Sequence, residues 1–145
     1  MTDVPRTDGR LRLLAAAAGL FTVCAGLGSR ATLDGAAGKV AGDVFYTVFV
    51  CAVLTAAAPR LRPSLAAAGG LAFSCAVELL QLTGVPSTLA GHSVLARLAL
   101  GTTFNAPDLL WYGVGAAVWW AGHSLLVRRV RRGSGRPLSH PAEHV

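Results

Sequence analysis

The sequence predicts an all-α, polytopic membrane protein with four transmembrane helices and a short interfacial or re-entrant segment between the third and the fourth. Three observations carry this expectation. Hydrophobic residues make up 53% of the chain and charged residues 14%, with a positive mean hydropathy, whereas an ordinary soluble domain has about 25% charged residues. Four apolar runs stand out, at residues 11–28, 44–58, 65–82 and 109–127. Ten of the thirteen Lys and Arg residues lie at alternate ends of those runs, as the cytoplasmic loops of an inserted protein require.

At a rise of 1.5 Å per residue, the first, third and fourth runs span about 27–29 Å, close to the roughly 30 Å hydrocarbon core. The first is led by Arg10 and Arg12 and is expected to stay in the bilayer as a helix. Its alternative is a cleaved secretory signal, for which Cys24-Ala25-Gly26 is a poor cleavage site and Val23 is too large for a lipoprotein-type box. Cleavage would leave three spans in the same orientation. The second run is short, and spans only if Asp43 and Pro59 mark its interfaces or the bilayer thins locally. Between the third and fourth runs, residues 89–101 are interrupted by His92, Ser93 and Arg97. A segment of that length cannot span and lies at the interface, re-enters, or packs against the bundle.

Charge placement sets the orientation. Arg6, Arg10 and Arg12 precede or open the first run, Arg60 and Arg62 link the second to the third, and Arg128, Arg129, Arg131, Arg132 and Arg136 follow the fourth. Only Arg30, Lys39 and Arg97 fall on the other side. Both termini are therefore expected in the cytoplasm, with the protein multi-pass in the plasma membrane. Residues 1–10 form a cytoplasmic N-terminal segment and 11–128 the four-helix domain. Residues 129–145 form a basic tail, poor in apolar periodicity and expected to be disordered. The net charge of +6 and pI near 10.3 do not point to nucleic acid, because the arginines cap apolar runs and form no aromatic-interleaved face. Cys24, Cys51 and Cys75 stand singly within apolar segments, so small buried packing residues are expected rather than disulfides or zinc ligands. His92 and His123 lack metal-ligand spacing, and no cofactor is expected.

The chemistry-bearing residues collect at one leaflet. Glu78 lies inside the third run, where a charged side chain costs roughly 2.5–3.5 kcal/mol on insertion scales, so it faces other helices. Gln81 shares its face at i+3. Asp43 opens the second helix from the outside, and Asp108 opens the fourth behind Pro107. Either carboxylate suits a helix N-terminus, so capping is an alternative role for both. Arg97 is the expected counter-charge, and a Glu78–Arg97 packing lock is the alternative to a pocket. Asp108, Tyr112 and Gly115 follow at i, i+4 and i+7 on one stripe, with Gly115 allowing a neighbouring helix close. Trp111, Trp119 and Trp120 are expected to be interface anchors. The candidate binding set is Asp43, Glu78, Gln81, Arg97, Asp108 and Tyr112, and no residue is assigned as catalytic.

The order Gly42-Asp43, Glu78-Leu79-Leu80-Gln81, Arg97, Leu100-Gly101-Thr102-Thr103-Phe104, then Asp108 with Gly115 resembles domain of unknown function 2809, a family of small bacterial membrane proteins. That family is similar in turn to VanZ-like proteins, which also show Glu-x-x-Gln, a later Arg, and an Asp followed by a small-residue helix. The resemblance covers roughly residues 11–127. Tyr112 stands where VanZ-like proteins usually have Asn, and Asn105 where the related family often has an acid. Both departures favour the unknown-function branch over a glycopeptide-resistance role. The resemblance implies a polytopic envelope protein with Asp43, Glu78, Gln81, Arg97 and Asp108 as motif positions.

Four functions compete. The first is a binding pocket in the outer leaflet for a lipid headgroup or envelope precursor, with membrane lipids as partners. The second is a structural or assembly subunit of an envelope complex, in which Glu78 and Arg97 lock the packing. A proton or cation path lacks a relay, since below Glu78 the third helix offers only Ser74 and Ser64. A membrane-embedded hydrolase lacks a Ser-His pairing, metal cluster or phosphate loop, so an enzyme is the lesser expectation.

Overall fold

The computed structural model describes residues 4–134, which form six helices with no strand among them: α1 (Val4–Thr32), α2 (Gly35–Ala57), α3 (Pro63–Gln81), α4 (Val85–His92), α5 (Val94–Leu100) and α6 (Asp108–Ser134). Three stretches are long and apolar enough to cross a membrane: Asp8–Thr32 within α1, Gly35–Ala57 and Pro63–Gln81. With 27 residues α6 matches them in length, but Trp111, Tyr112, Trp119, Trp120 and His123 dilute its hydropathy.

α2 is the central helix and packs against α1, α3 and α6; α3 also packs on α6, while among the described helices α1 packs on α2 alone. The α1–α2 turn is tight. Its Leu33 N–H bonds Ser29 O at 2.8 Å, and Gly35 takes φ +60° to start the next helix. α1 and α3 run towards one end of the bundle and α2 and α6 away from it. The α1–α2 turn, the C-terminus of α3 and the N-terminus of α6 therefore meet at that end, joined by contacts from Asp43 to Arg30 and from Asp108 to Lys39. The α4–α5 pair packs on α3 at the same end. At the opposite end Arg60 pairs with Asp8 at 3.0 Å.

The interior is built from small and polar side chains. Ala15, Cys51, Ala52, Ala66 and Ala116 are buried, together with Thr22, Thr47, Thr55 and Ser74, while Leu13, Leu20, Phe21, Leu65, Phe73 and Leu110 point outward. This is the distribution expected where lipid tails are as apolar as leucine, so that helices associate through close backbone approach and interhelical hydrogen bonds. A Cβ at Gly115 would lie 2.6 Å from Val44 O and 3.0 Å from Thr47 Cβ, so glycine there sets the α2–α6 spacing. Thr47 Oγ1 donates to Ser74 Oγ at 3.1 Å across the α2–α3 seam.

Several expectations are corrected. α2 starts at Gly35, well before the apolar run at 44–58, because residues 35–42 are mostly Gly and Ala and carry little hydropathy. Their small side chains let α1 lie close, and Gly38 and Gly42 are buried. Asp43 therefore sits in the third turn and does not open the helix; the N-cap is Asp34, which makes no side-chain cap bond. Capping is thus excluded for Asp43, whereas Asp108 does occupy the first turn of α6. Cys51 is buried, but Cys24 is exposed because α1 has a single helix neighbour. α1 and α6 continue past the boundaries at 11 and 128, so 129–134, assigned to a disordered tail from sequence, are helical. Residues 135–145 of that tail lie outside the described residues. Segment 89–101 is broken at Ser93, which ends α4 and caps α5 by accepting from Ala96 N–H.

Candidate functional site

Lys39 organises the cluster. It lies four residues before Asp43 on α2, so one helical turn brings its ammonium 3.2 Å from Asp43 Oδ2. The same ammonium also reaches Asp108 Oδ2 on α6. Arg30, from the last turn of α1, approaches Asp43 Oδ1 at 3.7 Å. Its guanidinium lies over Gly42, where any Cβ would collide with it. Asn105 Nδ2 donates to Asp108 Oδ1. Three helices and the α5–α6 connection thus converge on two carboxylates. Asp43 and Asp108 side chains are only 8% and 7% exposed, whereas those of Arg30 and Lys39 are 53% and 46% exposed. The acids form the floor and the cations the outer surface.

Glu78 forms a second, deeper element. It is 1% exposed, and both its oxygens accept hydrogen bonds: Oε2 from Tyr112 Oη at 2.8 Å and Oε1 from the Asn105 backbone N–H at 2.5 Å. Tyr112 is itself buried and lies one helical turn beyond Asp108. Asn105 belongs to both elements, giving its backbone N–H to Glu78 and its side-chain amide to Asp108. Among the described residues no cation lies within 4.0 Å of Glu78.

Gln81 extends the arrangement towards the α4–α5 pair, donating from Nε2 to Leu100 O at 2.7 Å. Gly101 makes this possible, because its φ is +66° and a Cβ would stand 2.6 Å from that nitrogen. The Gln81 Oε1 acceptor is buried without a partner among the described residues. Tyr46 Oη donates to Ala99 O at 2.8 Å, tying α2 to α5.

Of the six sequence-predicted residues, the structure brings Asp43 and Asp108 together through Lys39, and Glu78 and Tyr112 together directly. Gln81 lies on the face of Glu78 but bonds elsewhere. Arg97 is the exception: it is exposed on α5, its guanidinium donates to Ala90 O at 3.2 Å, and it pairs with no carboxylate among the described residues. The expected Glu78–Arg97 lock is therefore corrected to a Glu78–Tyr112–Asn105 lock built from neutral donors. The short α5 holds Arg97 against the end of α4, one bend away from α3. Sequence reasoning missed Lys39 and Arg30 as site residues, although both signals were visible. Lys39 stands at i−4 from Asp43, and the two are among the three basic residues that break the charge asymmetry. Among the described residues no three His, Cys, Asp or Glu side chains are grouped to hold a metal ion.

Residues 32–116, more than half of the chain, match the family described as Protein of unknown function (DUF2809). That stretch holds every residue of the cluster except Arg30. No curated protein and no solved structure matches the chain.

Proposed function

Because the chain belongs to the DUF2809 family, whose function is unknown, membership supplies no activity, and we propose from the geometry that the protein binds a phosphate-bearing lipid headgroup or envelope precursor at the Lys39–Arg30 surface. The carrying observation is the layering of the cluster. Buried Asp43 and Asp108 hold two half-exposed cations in place, so the donors facing outward are an ammonium and a guanidinium. Such donors suit phosphate oxygens, with charge-assisted hydrogen bonds about twice as strong as neutral ones. Arg30 and Lys39 also lie where charge bias disfavours cations, so their placement at that end follows from the buried acids and not from membrane orientation.

In this reading the protein is a VanZ-like bacterial plasma-membrane protein with four spans, α6 being the fourth. Both termini face the cytoplasm, α4 and α5 lie at the outer interface, and membrane lipids are its partners. Arg97, exposed on α5, meets Ala90 O and is assigned no contact with the ligand. Asp43, Asp108, Glu78, Tyr112 and Gln81 hold the floor, and no chemical step is assigned to them. A second reading, an assembly subunit of an envelope complex, is favoured by one observation: both oxygens of Glu78 are satisfied within the chain, as in a packing device.

Lipid mass spectrometry on protein extracted in native bilayer patches separates the two. A phosphate-bearing lipid is expected to be enriched with the unmodified chain and to fall at least tenfold with Arg30→Gln plus Lys39→Gln, since even one hydrogen bond to a charged group is worth roughly 1.5–3 kcal/mol. Unchanged lipid profiles in that variant would assign the cluster to packing and the function to a protein partner.

A further inference from the structure

The opposite end of the bundle carries an independent feature. Between α3 and α6 there is an open, apolar groove, lined by Ser64, Ala68 and Leu71 of α3 and by Gly113, Ala117 and Trp120 of α6. A Cβ at Gly113 would meet nothing within 4 Å, so the groove is open beside this glycine. α3 and α6 run antiparallel, so Ser64 and Trp120 are the lining residues of each helix nearest the Arg-rich end, and Leu71 and Gly113 those farthest from it. Arg62 is exposed at the N-cap of α3, two residues beyond Ser64. Arg128 is exposed on α6, eleven residues beyond Ala117. Eleven residues make about three turns, which returns Arg128 to the Ala117 stripe, and Arg129 is exposed beside it. Among the described residues neither Arg62, Arg128 nor Arg129 forms an ion pair.

We infer that this groove seats one acyl chain of an anionic phospholipid, whose phosphate is held by Arg62 and Arg128 with Arg129 alongside. The shape fits a flexible chain: the walls are mostly small side chains, and Trp120 closes the end nearest the headgroup, where amphipathic indoles are favoured. The charge is complementary. Basic residues at the membrane surface attract anionic lipid, and basic pockets between transmembrane helices bind phosphate headgroups. The occupant is thus a phospholipid of the leaflet opposite the Lys39–Arg30 cluster, and the two sites share no residue. The inference rests on α6 being a membrane span, and the test below fails differently if it is not.

In a chain carrying Trp111→Phe and Trp119→Phe, Trp120 is the remaining indole. Its fluorescence is read in vesicles of phosphatidylcholine containing increasing fractions of phosphatidylglycerol with brominated acyl chains, and in the converse mixtures with the bromine on phosphatidylcholine. Brominated phosphatidylglycerol is expected to quench at several-fold lower mole fraction, with about a fivefold loss of preference for each of Arg62→Gln and Arg128→Gln and weakening in high salt. Ala117→Leu, which fills the groove without touching the arginines, is expected to reduce quenching by both lipids. Equal quenching by the two headgroups, or a preference indifferent to the arginine variants, would overturn the site and leave an ordinary lipid annulus. Absence of quenching by either lipid would overturn the α6 span and the groove site together.

Discussion

Glu78→Ala is expected to destabilise the bundle by about 3–5 kcal/mol, because it strands one buried and one half-buried donor and opens a void between α3 and α6. Tyr112 Oη and the Asn105 N–H both point at the lost carboxylate, and each unsatisfied buried donor costs about 1–3 kcal/mol, with a cavity term in addition. Tyr112→Phe removes one of the two bonds and is expected to cost less, about 1–3 kcal/mol, since Glu78 keeps its Asn105 partner. Thermal unfolding of both single variants and the double variant in one detergent checks this. The two costs should be clearly non-additive, because they share a bond. Arg97→Gln measured alongside should shift stability little, since the exposed guanidinium meets only a backbone carbonyl.

The second large effect is steric. Gly115→Leu is expected to abolish recovery of folded protein, as its side chain would enter the α2 backbone at Val44 O, 2.6 Å from the first added carbon. Overpacking costs typically 1–3 kcal/mol where neighbours can yield. Here the nearest atom is a helix carbonyl that cannot move without parting the α2–α6 seam, and with it the Lys39–Asp108 bridge. Gly113→Leu, two residues away with open space beside it, is expected to fold. Size-exclusion profiles and helical circular dichroism of the two variants give the comparison, and equal behaviour would contradict the assigned seam.

Much of this architecture was legible in the residues. The apolar runs at 11–28, 65–82 and 109–127 correspond to α1, α3 and α6, because apolar residues sustained over about 18 positions suit a packed or lipid-facing helix, although its aromatic residues and His123 leave α6 less apolar than the other two. The start of α2 was not legible. Hydropathy is blind to a Gly- and Ala-rich turn of helix, and it is the close approach of α1 that makes residues 35–43 helical. The gathering of Asp43, Asp108, Glu78 and Tyr112 towards one end followed from helix direction alone. Their partners did not, because partners depend on rotation about each helix axis and on the α4–α5 path. Arg97 was therefore placed beside Glu78 when a bend at Ser93 carries it away, and Lys39, dismissed as an exception to a charge count, proved to be the residue that joins α2 to α6.

The cluster lies at the outer face of a four-span bundle when α6 crosses the bilayer alongside α1, α2 and α3. Single cysteines at Asp34, Leu61, Thr103 and Arg129, in a chain with Cys24, Cys51 and Cys75 replaced by Ala, test this through labelling of intact cells with a membrane-impermeant thiol reagent. Four spans predict labelling of positions 34 and 103 from outside, with 61 and 129 labelled only after permeabilisation. Labelling of 103 and 129 from the same side would mean that α6 does not cross, and would contradict a Lys39–Asp108 cluster embedded in a four-span bundle.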